Sequence, residues 1–255
     1  MLQLDLSGHL AVVTGGSGQL GREICRTLAR GGADVVVHYF SHSEKAEQIR
    51  DEILAMGRRS MAVKADITKE ADVMAMRDAI RAELGDPDII CNNAVIQYQW
   101  VPVLEQGLDD YRSQFESCVM QNVLMAKAFV PAMVEKNWGR VIATNTECAM
   151  QCFEGQSAYV SGKRGMDGVL RVLAKEVGPH EITVNQVAPG YTISEDNPGD
   201  PNDPGEMAYT QRVPMKRRGV SQNIANAVAF LASDMASYIT GLYMPVCGGN
   251  EMPRI

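Results

Sequence analysis

The chain is short of the features that mark most specialised protein classes. It has two tryptophans and four histidines, and aromatic residues make up only 6% of it. Its six cysteines, Cys25, Cys91, Cys118, Cys148, Cys152 and Cys247, include no C-x-x-C pair and have no His-rich companion segment. That spacing offers neither a zinc site nor a disulfide framework, so free thiols and no metal are expected. Positive charge is also scarce: 24 Lys and Arg stand against 31 Asp and Glu, a formal net charge of −7. A general nucleic-acid binder needs a basic face to neutralise phosphates, and this composition excludes that class. The N-terminal stretch Met1–Leu6 has no basic region leading into an apolar core, and no later run reads as membrane-spanning. The expectation is a cytoplasmic protein with no membrane partner.

What is present is an ordinary globular composition, 45% hydrophobic and 22% charged over 255 residues. Short apolar runs alternate with amphipathic windows, the pattern of a parallel sheet covered on both faces. Strands are expected at Leu10–Thr14, Asp34–Tyr39, Met61–Ala65, Ile89–Cys91, Arg140–Thr144, Ile182–Val187 and Leu242–Val246. Helices are expected at Arg22–Arg30, Glu44–Met56, Lys69–Leu84, Leu108–Glu135 (bent near Pro131), Gln156–Val177 and Asn223–Ser233. The fold class is therefore α/β, one doubly wound parallel sheet of the Rossmann type, as a single domain over residues 1–255. Between Pro189 and Pro214 the character changes, with four prolines from Pro198 to Pro214 and the acidic pair Glu195-Asp196. This reads as an insertion over the sheet edge, a mobile lid at 190–215.

Two stretches carry chemistry. The first is Gly16-x-Gly18-x-x-Gly21, which joins the first strand to the first helix. Glycines there let backbone N–H groups and a helix N-terminus approach a pyrophosphate. The second is Tyr159-Val160-Ser161-Gly162-Lys163. At that spacing a phenol and an ammonium share one face of a helix, and the ammonium would favour ionisation of a phenol whose ordinary pKa is about 10.

Taken together, the motifs resemble those of the short-chain dehydrogenase/reductase family, in family order and over nearly the whole chain. Thr14-Gly15-x-x-x-Gln19-x-Gly21 is similar to the family's T-G-x-x-x-G-x-G, with Gln19 in place of a glycine. Asn92-Asn93-Ala94-Val95 resembles N-N-A-G, Tyr159-x-x-x-Lys163 matches the catalytic motif, and Val184–Gly190 resembles the segment beside the nicotinamide. Arg218-Gly219, Leu231–Asp234, Ile239–Gly241 and Gly248-Gly249 resemble the C-terminal signature.

The resemblance implies hydride transfer between a nicotinamide cofactor and a carbonyl or secondary alcohol. Tyr159 would exchange a proton with the substrate oxygen. Lys163 would hold the nicotinamide ribose and lower the phenol's pKa, and Asn122 would help a proton relay. The family's catalytic serine, thirteen positions before the tyrosine, is here Thr146, which keeps the hydroxyl but adds a methyl. Cofactor contacts implied by position are Gly15, Ser17, Gln19, Leu20, Gly21, Tyr39, Ser41, His42, Asp66, Ile67, Asn93, Ala94, Pro189, Gly190, Thr192 and Ser194, with Tyr159 and Lys163. Tyr39 stands where the family's NAD enzymes usually have Asp, and Ser41 and His42 could donate to a phosphate, so NADP(H) is expected over NAD(H). The usual basic residue is absent there, and Gly18 stands at a position that is often basic.

By the same analogy the substrate is lined by Gln97, Trp100, Thr146, Glu147, Phe153 and Tyr191, which suits a small, polar molecule. A 3-oxoacyl thioester is the alternative substrate. A catalytically inactive dinucleotide sensor or scaffold is the alternative of another class, because Gln19, Val95 and Thr146 all depart from the pattern. A homodimer or homotetramer joined through Leu108–Glu135 and Gln156–Val177 is the family expectation.

Overall fold

A computed structural model describes residues 4–253. Seven parallel strands form one sheet: β1 (Leu10–Val13), β2 (Asp34–Tyr39), β3 (Ser60–Lys64), β4 (Ile89–Asn92), β5 (Gly139–Thr144), β6 (Ile182–Pro189) and β9 (Tyr243–Val246), in the order β3-β2-β1-β4-β5-β6-β9. Two further strands of two residues, β7 (Thr192–Ile193) and β8 (Gly219–Val220), pair with each other. The strands sit where the apolar runs place them, and their side chains alternate between two cores. Ala11, Val13, Val35, Val37, Ile89 and Cys91 face one side. Leu10, Val12, Val36 and Ile90 face the other. Period-two alternation with both faces buried explains why the runs are almost continuously apolar.

Helices α1 (Gln19–Arg30), α2 (Ser43–Ala55) and α9 (Ser221–Ala232) cover the first face. The second is covered by α3 (Glu70–Glu83), α7 (Ser157–Val177) and a long helix running from Leu108 to Lys136. That long helix is α4 (Leu108–Gln114), a six-residue π-helical stretch (Phe115–Met120) and α5 (Gln121–Lys136). No sequence signal announced the π turn. Helix α5 continues across Pro131 to a left-handed Asn137, φ 52°. Leu108–Lys136 is long and apolar enough to cross a membrane by length and composition alone, but 61% of its most apolar window is buried inside the fold, as in a core helix. Gly162 of α7 lets this helix come close, because a Cβ there would meet the Gln114 carbonyl oxygen at 2.8 Å.

Strand order reverses between β1 and β4, and crossovers on either side leave a crevice at their C-terminal ends. The glycine turn follows β1, Asn93 follows β4, and Thr146 follows β5, so the sheet itself gathers the candidate residues. The lid region is more ordered than its prolines suggest. It contains α8 (Pro204–Arg212), opened by Pro204 after Asp203, whose Oδ1 accepts from the Glu206 N–H at 2.8 Å. That Asp-Pro start was a legible helix signal. A four-residue helix, α6 (Cys148–Gln151), follows Thr146.

Candidate active site

The glycine turn is closely packed against the residues after β4. Gly15 takes φ +63°, and a Cβ on it would lie 3.0 Å from Ala94 Cα. A Cβ on Gly21 would fall on the Gly15 carbonyl, so the turn closes only with glycine at both positions. The first-turn amides of α1, beginning at Gln19 and Leu20, have no intrahelical acceptors and point the positive end of the helix into the crevice. Asn93 ties this turn to β4: its Nδ2 donates to the Thr14 and Gly15 carbonyls at 3.2 and 3.3 Å, and its N–H donates to Thr14 Oγ1 at 2.9 Å. Ala94 N–H shares that hydroxyl, at 3.1 Å.

A residue absent from the sequence reading completes the turn. His38, buried in β2, accepts the Gly15 N–H at Nδ1 (3.0 Å), which leaves Nε2 to donate to the Ala65 carbonyl (3.0 Å). Burial lowers its pKa to about 4, so the ring is neutral near pH 7 and its tautomer is fixed.

At the end of β2, Tyr39 is half-buried, and Ser41 Oγ and His42 Nδ1 lie 3.0 Å apart. Asp66 Oδ1 accepts from the Thr68 N–H and hydroxyl, and Ile67 is buried beside it. Positive charge, which the sequence did not reveal here, arrives from the neighbouring helices. Arg22 of α1 and Lys45 of α2 both reach Asp196 Oδ2 at 2.8 Å, and Arg26 reaches Glu195 at 2.5 Å. The hydrogen bonds from Lys45 and Arg22 hold the Asp196 carboxyl below its ordinary range. The strap between β7 and α8 is thus fastened to this corner, and Ser194 Oγ donates to Gln19 Oε1 at 2.8 Å.

The catalytic candidates converge beside β5. Lys163 is buried and donates from Nζ to the Thr144 carbonyl at 2.6 Å, leaving two of its three donors for a ligand. Its ammonium lies 5.7 Å from the Tyr159 ring centroid. The Thr146 hydroxyl accepts the Cys148 N–H at 3.2 Å and favours the charged form of the Tyr159 phenol. Burial nevertheless dominates: it pushes the Tyr159 pKa well above 10 and the Lys163 pKa below its ordinary value. The Thr146 hydroxyl, and not the lysine, is what opposes the rise, and the phenol is held protonated. Asn122 is placed nearby, but its side chain is committed. Its Oδ1 accepts from Asn92 Nδ2 at 2.7 Å and its Nδ2 donates to the Cys118 carbonyl in the π turn at 2.6 Å.

Of the substrate candidates, Trp100 stacks near Tyr159, ring centroids 6.0 Å apart. Gln97 is exposed on the same loop, and Phe153 lies under the Arg212 guanidinium at 4.8 Å. Tyr98 caps α7 by accepting the Tyr159 N–H at 2.6 Å. Tyr191 is sandwiched, edge-on to Tyr209 at 5.5 Å and under Arg218 at 3.7 Å. Thr192 Oγ1 donates to the Gly190 carbonyl at 2.8 Å. Glu147 departs from its expected role at the pocket mouth: it is only 3% exposed, and both its oxygens are occupied by Tyr209 and Asn250.

Known proteins are similar to this chain in sequence and fold. A family model described as Enoyl-(Acyl carrier protein) reductase matches residues 17–251. The 3-oxoacyl-(acyl-carrier-protein) reductase of Escherichia coli is 36% identical over 249 residues, 98% of this chain and all of that one. The crystal structure of a blue fluorescent protein from a metagenomic library, in complex with NADPH, is 33% identical with a TM-score of 0.89, covering 97% of this chain and all of its own. A 7α-hydroxysteroid dehydrogenase complexed with NADH and a 7-oxo bile acid is 30% identical with a TM-score of 0.91 and 98% coverage of both chains. With a family model over residues 17–251, relatives 30–36% identical over nearly the whole chain and solved structures that share the sheet's fold, the chain belongs to the short-chain dehydrogenase/reductase family and is an NAD(P)-dependent oxidoreductase.

Proposed function

We propose that the chain transfers hydride between NADP(H) and the carbonyl or secondary alcohol of a small, polar substrate, with Tyr159 as the proton donor and acceptor. The observation that carries this reading is the pairing of Tyr159 with Lys163, whose ammonium lies 5.7 Å from the phenol ring centroid, beside the Thr146 hydroxyl at the crevice of the sheet. The bound nicotinamide supplies or accepts the hydride. In reduction, Tyr159 donates its proton to the substrate oxygen, and Thr146 orients that oxygen by hydrogen bonding. The free donors of Lys163 would hold ribose hydroxyls, and Asn122, bonded to Asn92 and to the Cys118 carbonyl, would hold the helix turn beside them. In the oxidation direction the phenol must first lose its proton, so its raised pKa makes oxidation faster at alkaline pH.

The cradle at Gly15 and Gly21 fits a pyrophosphate, and the cation corner favours NADP(H). Lys45 and Arg22, freed from Asp196, would offer charge-assisted hydrogen bonds to a 2′-phosphate, while Tyr39 offers a ribose diol no carboxylate. Ser17, Ser194 and Thr192 line the path between the two ends. Exposed Leu108, Phe115 and Val172 on the long helices fit association into a homodimer or homotetramer, and a cytoplasmic location goes with the reading.

A 3-oxoacyl thioester is the second substrate class, favoured by the E. coli relative. A panel of ketones, sugars, diketones and 3-oxoacyl thioesters, followed by nicotinamide absorbance with NADPH, separates the two. Tight NADPH binding with no turnover anywhere in the panel, and no effect of Tyr159→Phe, would return the chain to the sensor class.

A further inference from the structure

The residue after Thr146 is a buried carboxylate surrounded by parts of the chain far apart in sequence. Glu147 Oε1 accepts from the Tyr209 hydroxyl of α8 at 2.9 Å, and Oε2 accepts from Asn250 Nδ2 at 3.0 Å. Its own N–H donates to the Pro189 carbonyl at 3.0 Å, at the end of β6. The Tyr209 oxygen in turn accepts the Tyr191 N–H at 2.8 Å, so this one phenol bonds both the catalytic turn and the point where the lid leaves the sheet. Gly190 makes the approach possible, since a Cβ there would collide with the Tyr209 hydroxyl. Asn250 is held from the other side: its carbonyl accepts from Gln151 Nε2 of α6 at 3.2 Å. The Tyr243 hydroxyl of β9 donates to the Thr146 carbonyl at 2.7 Å, so the same turn is braced from the C-terminal segment.

We propose that Glu147 is a positioning residue that hangs the lid: it fixes α8 through Tyr209, and the 247–251 segment through Asn250, against the turn that presents Thr146. A buried carboxylate with no protein donors would be costly, whereas one with two donors from two elements far apart in sequence ties those elements to it. Burial raises the Glu147 pKa above its ordinary value, and the two donors oppose that shift. The lid wall around the substrate is thereby set by contacts that touch neither substrate nor cofactor. The proposal rests on the reading of residues 190–215 as that wall.

The test compares the full-length protein with Tyr209→Phe, which removes one hydroxyl and little volume, with Glu147→Ala, and with the double variant. Amide hydrogen exchange in residues 204–212 should accelerate at least tenfold in each single variant, while Gly139–Thr144 and Ile182–Pro189 keep wild-type protection. KM for a turned-over carbonyl should rise about tenfold, kcat should stay within about threefold, and the double variant should add little to either single change. Unchanged exchange in 204–212, acceleration spread evenly over the whole sheet, or an unchanged KM would each overturn the proposal. If the wild-type protein turns over no carbonyl, the functional reading fails on its own, and the exchange pattern still decides whether Glu147 hangs the lid.

Discussion

The two ends of the parallel sheet are built on opposite principles. At the N-terminal ends of the strands the charges are matched by neighbours. Asp88 accepts from the Leu10 N–H at 3.0 Å, from His9 at 3.2 Å and from Lys136. The His9 ring stacks on Trp138, centroids 3.9 Å apart, and the Arg140 guanidinium covers Trp138 at 4.2 Å while pairing with Asp234 at 2.9 Å. At the C-terminal ends, Lys163 keeps donors in reserve, the first-turn amides of α1 lack intrahelical acceptors, and the Tyr159 phenol is half-buried beside the Thr146 hydroxyl. The first end closes on itself; the second leaves hydrogen-bonding capacity for a ligand. Polar groups of similar kind thus serve stability at one end and chemistry at the other, according to whether the fold satisfies them.

This contrast can be broken by substitution. Removing Asp88 leaves the buried Leu10 N–H, the His9 ring and the Lys136 ammonium without their acceptor, so Asp88→Ala should cost about 3–4 kcal/mol of stability in denaturant titration. At temperatures where the variant stays folded, kcat should be unchanged; a large loss of kcat would mean that the ends are not separate.

His38 sharpens the contrast, because it lies at the catalytic end but acts through the fold. Its folded pKa of about 4 lies below the unfolded value near 6.5, so the unfolded chain takes up the proton first as pH falls. Its contribution is complete above pH 6.5 and is lost between there and pH 4, to about 3 kcal/mol at 1.36 kcal/mol per pH unit. Unfolding free energies measured across that window should show this slope, and His38→Gln should flatten it.

Thr146→Ala should lower kcat about a hundredfold, roughly 2.7 kcal/mol of barrier, with stability nearly unchanged, whereas Thr146→Ser keeps most activity. Initial rates for the three proteins check this, and an active alanine variant would remove Thr146 from the chemistry. The smallest effect belongs to the cation corner: Lys45→Ala should weaken NADPH about tenfold by calorimetric titration and leave NADH alone. Equal weakening of both would place Lys45 away from the 2′-phosphate.

Much of this was readable in the chain because it is local. Leu10–Val13 and Asp34–Tyr39 announce themselves by apolar β-branched runs, and Tyr159 and Lys163 by helical spacing. Gly15 and Gly21 are legible because only glycine fits where they stand. What escaped depends on contacts across long sequence separations. Nothing near His38 predicts that it will accept from Gly15, and nothing near Glu147 predicts Tyr209, 62 residues away. Arg22 and Lys45 look like ordinary surface cations until Asp196 folds onto them. The raised pKa of Tyr159 likewise reflects the segments that fold around it, among them the loop of Tyr98 and Trp100, which the Tyr-x-x-x-Lys spacing does not encode.

The most direct test is the rate of carbonyl reduction by Tyr159→Phe, measured alongside its NADPH affinity. The account predicts a loss of about a thousandfold in kcat with NADPH affinity and fold preserved, since one phenolic proton has been removed from an otherwise intact site. A variant that binds NADPH and keeps more than a tenth of the wild-type rate would contradict it.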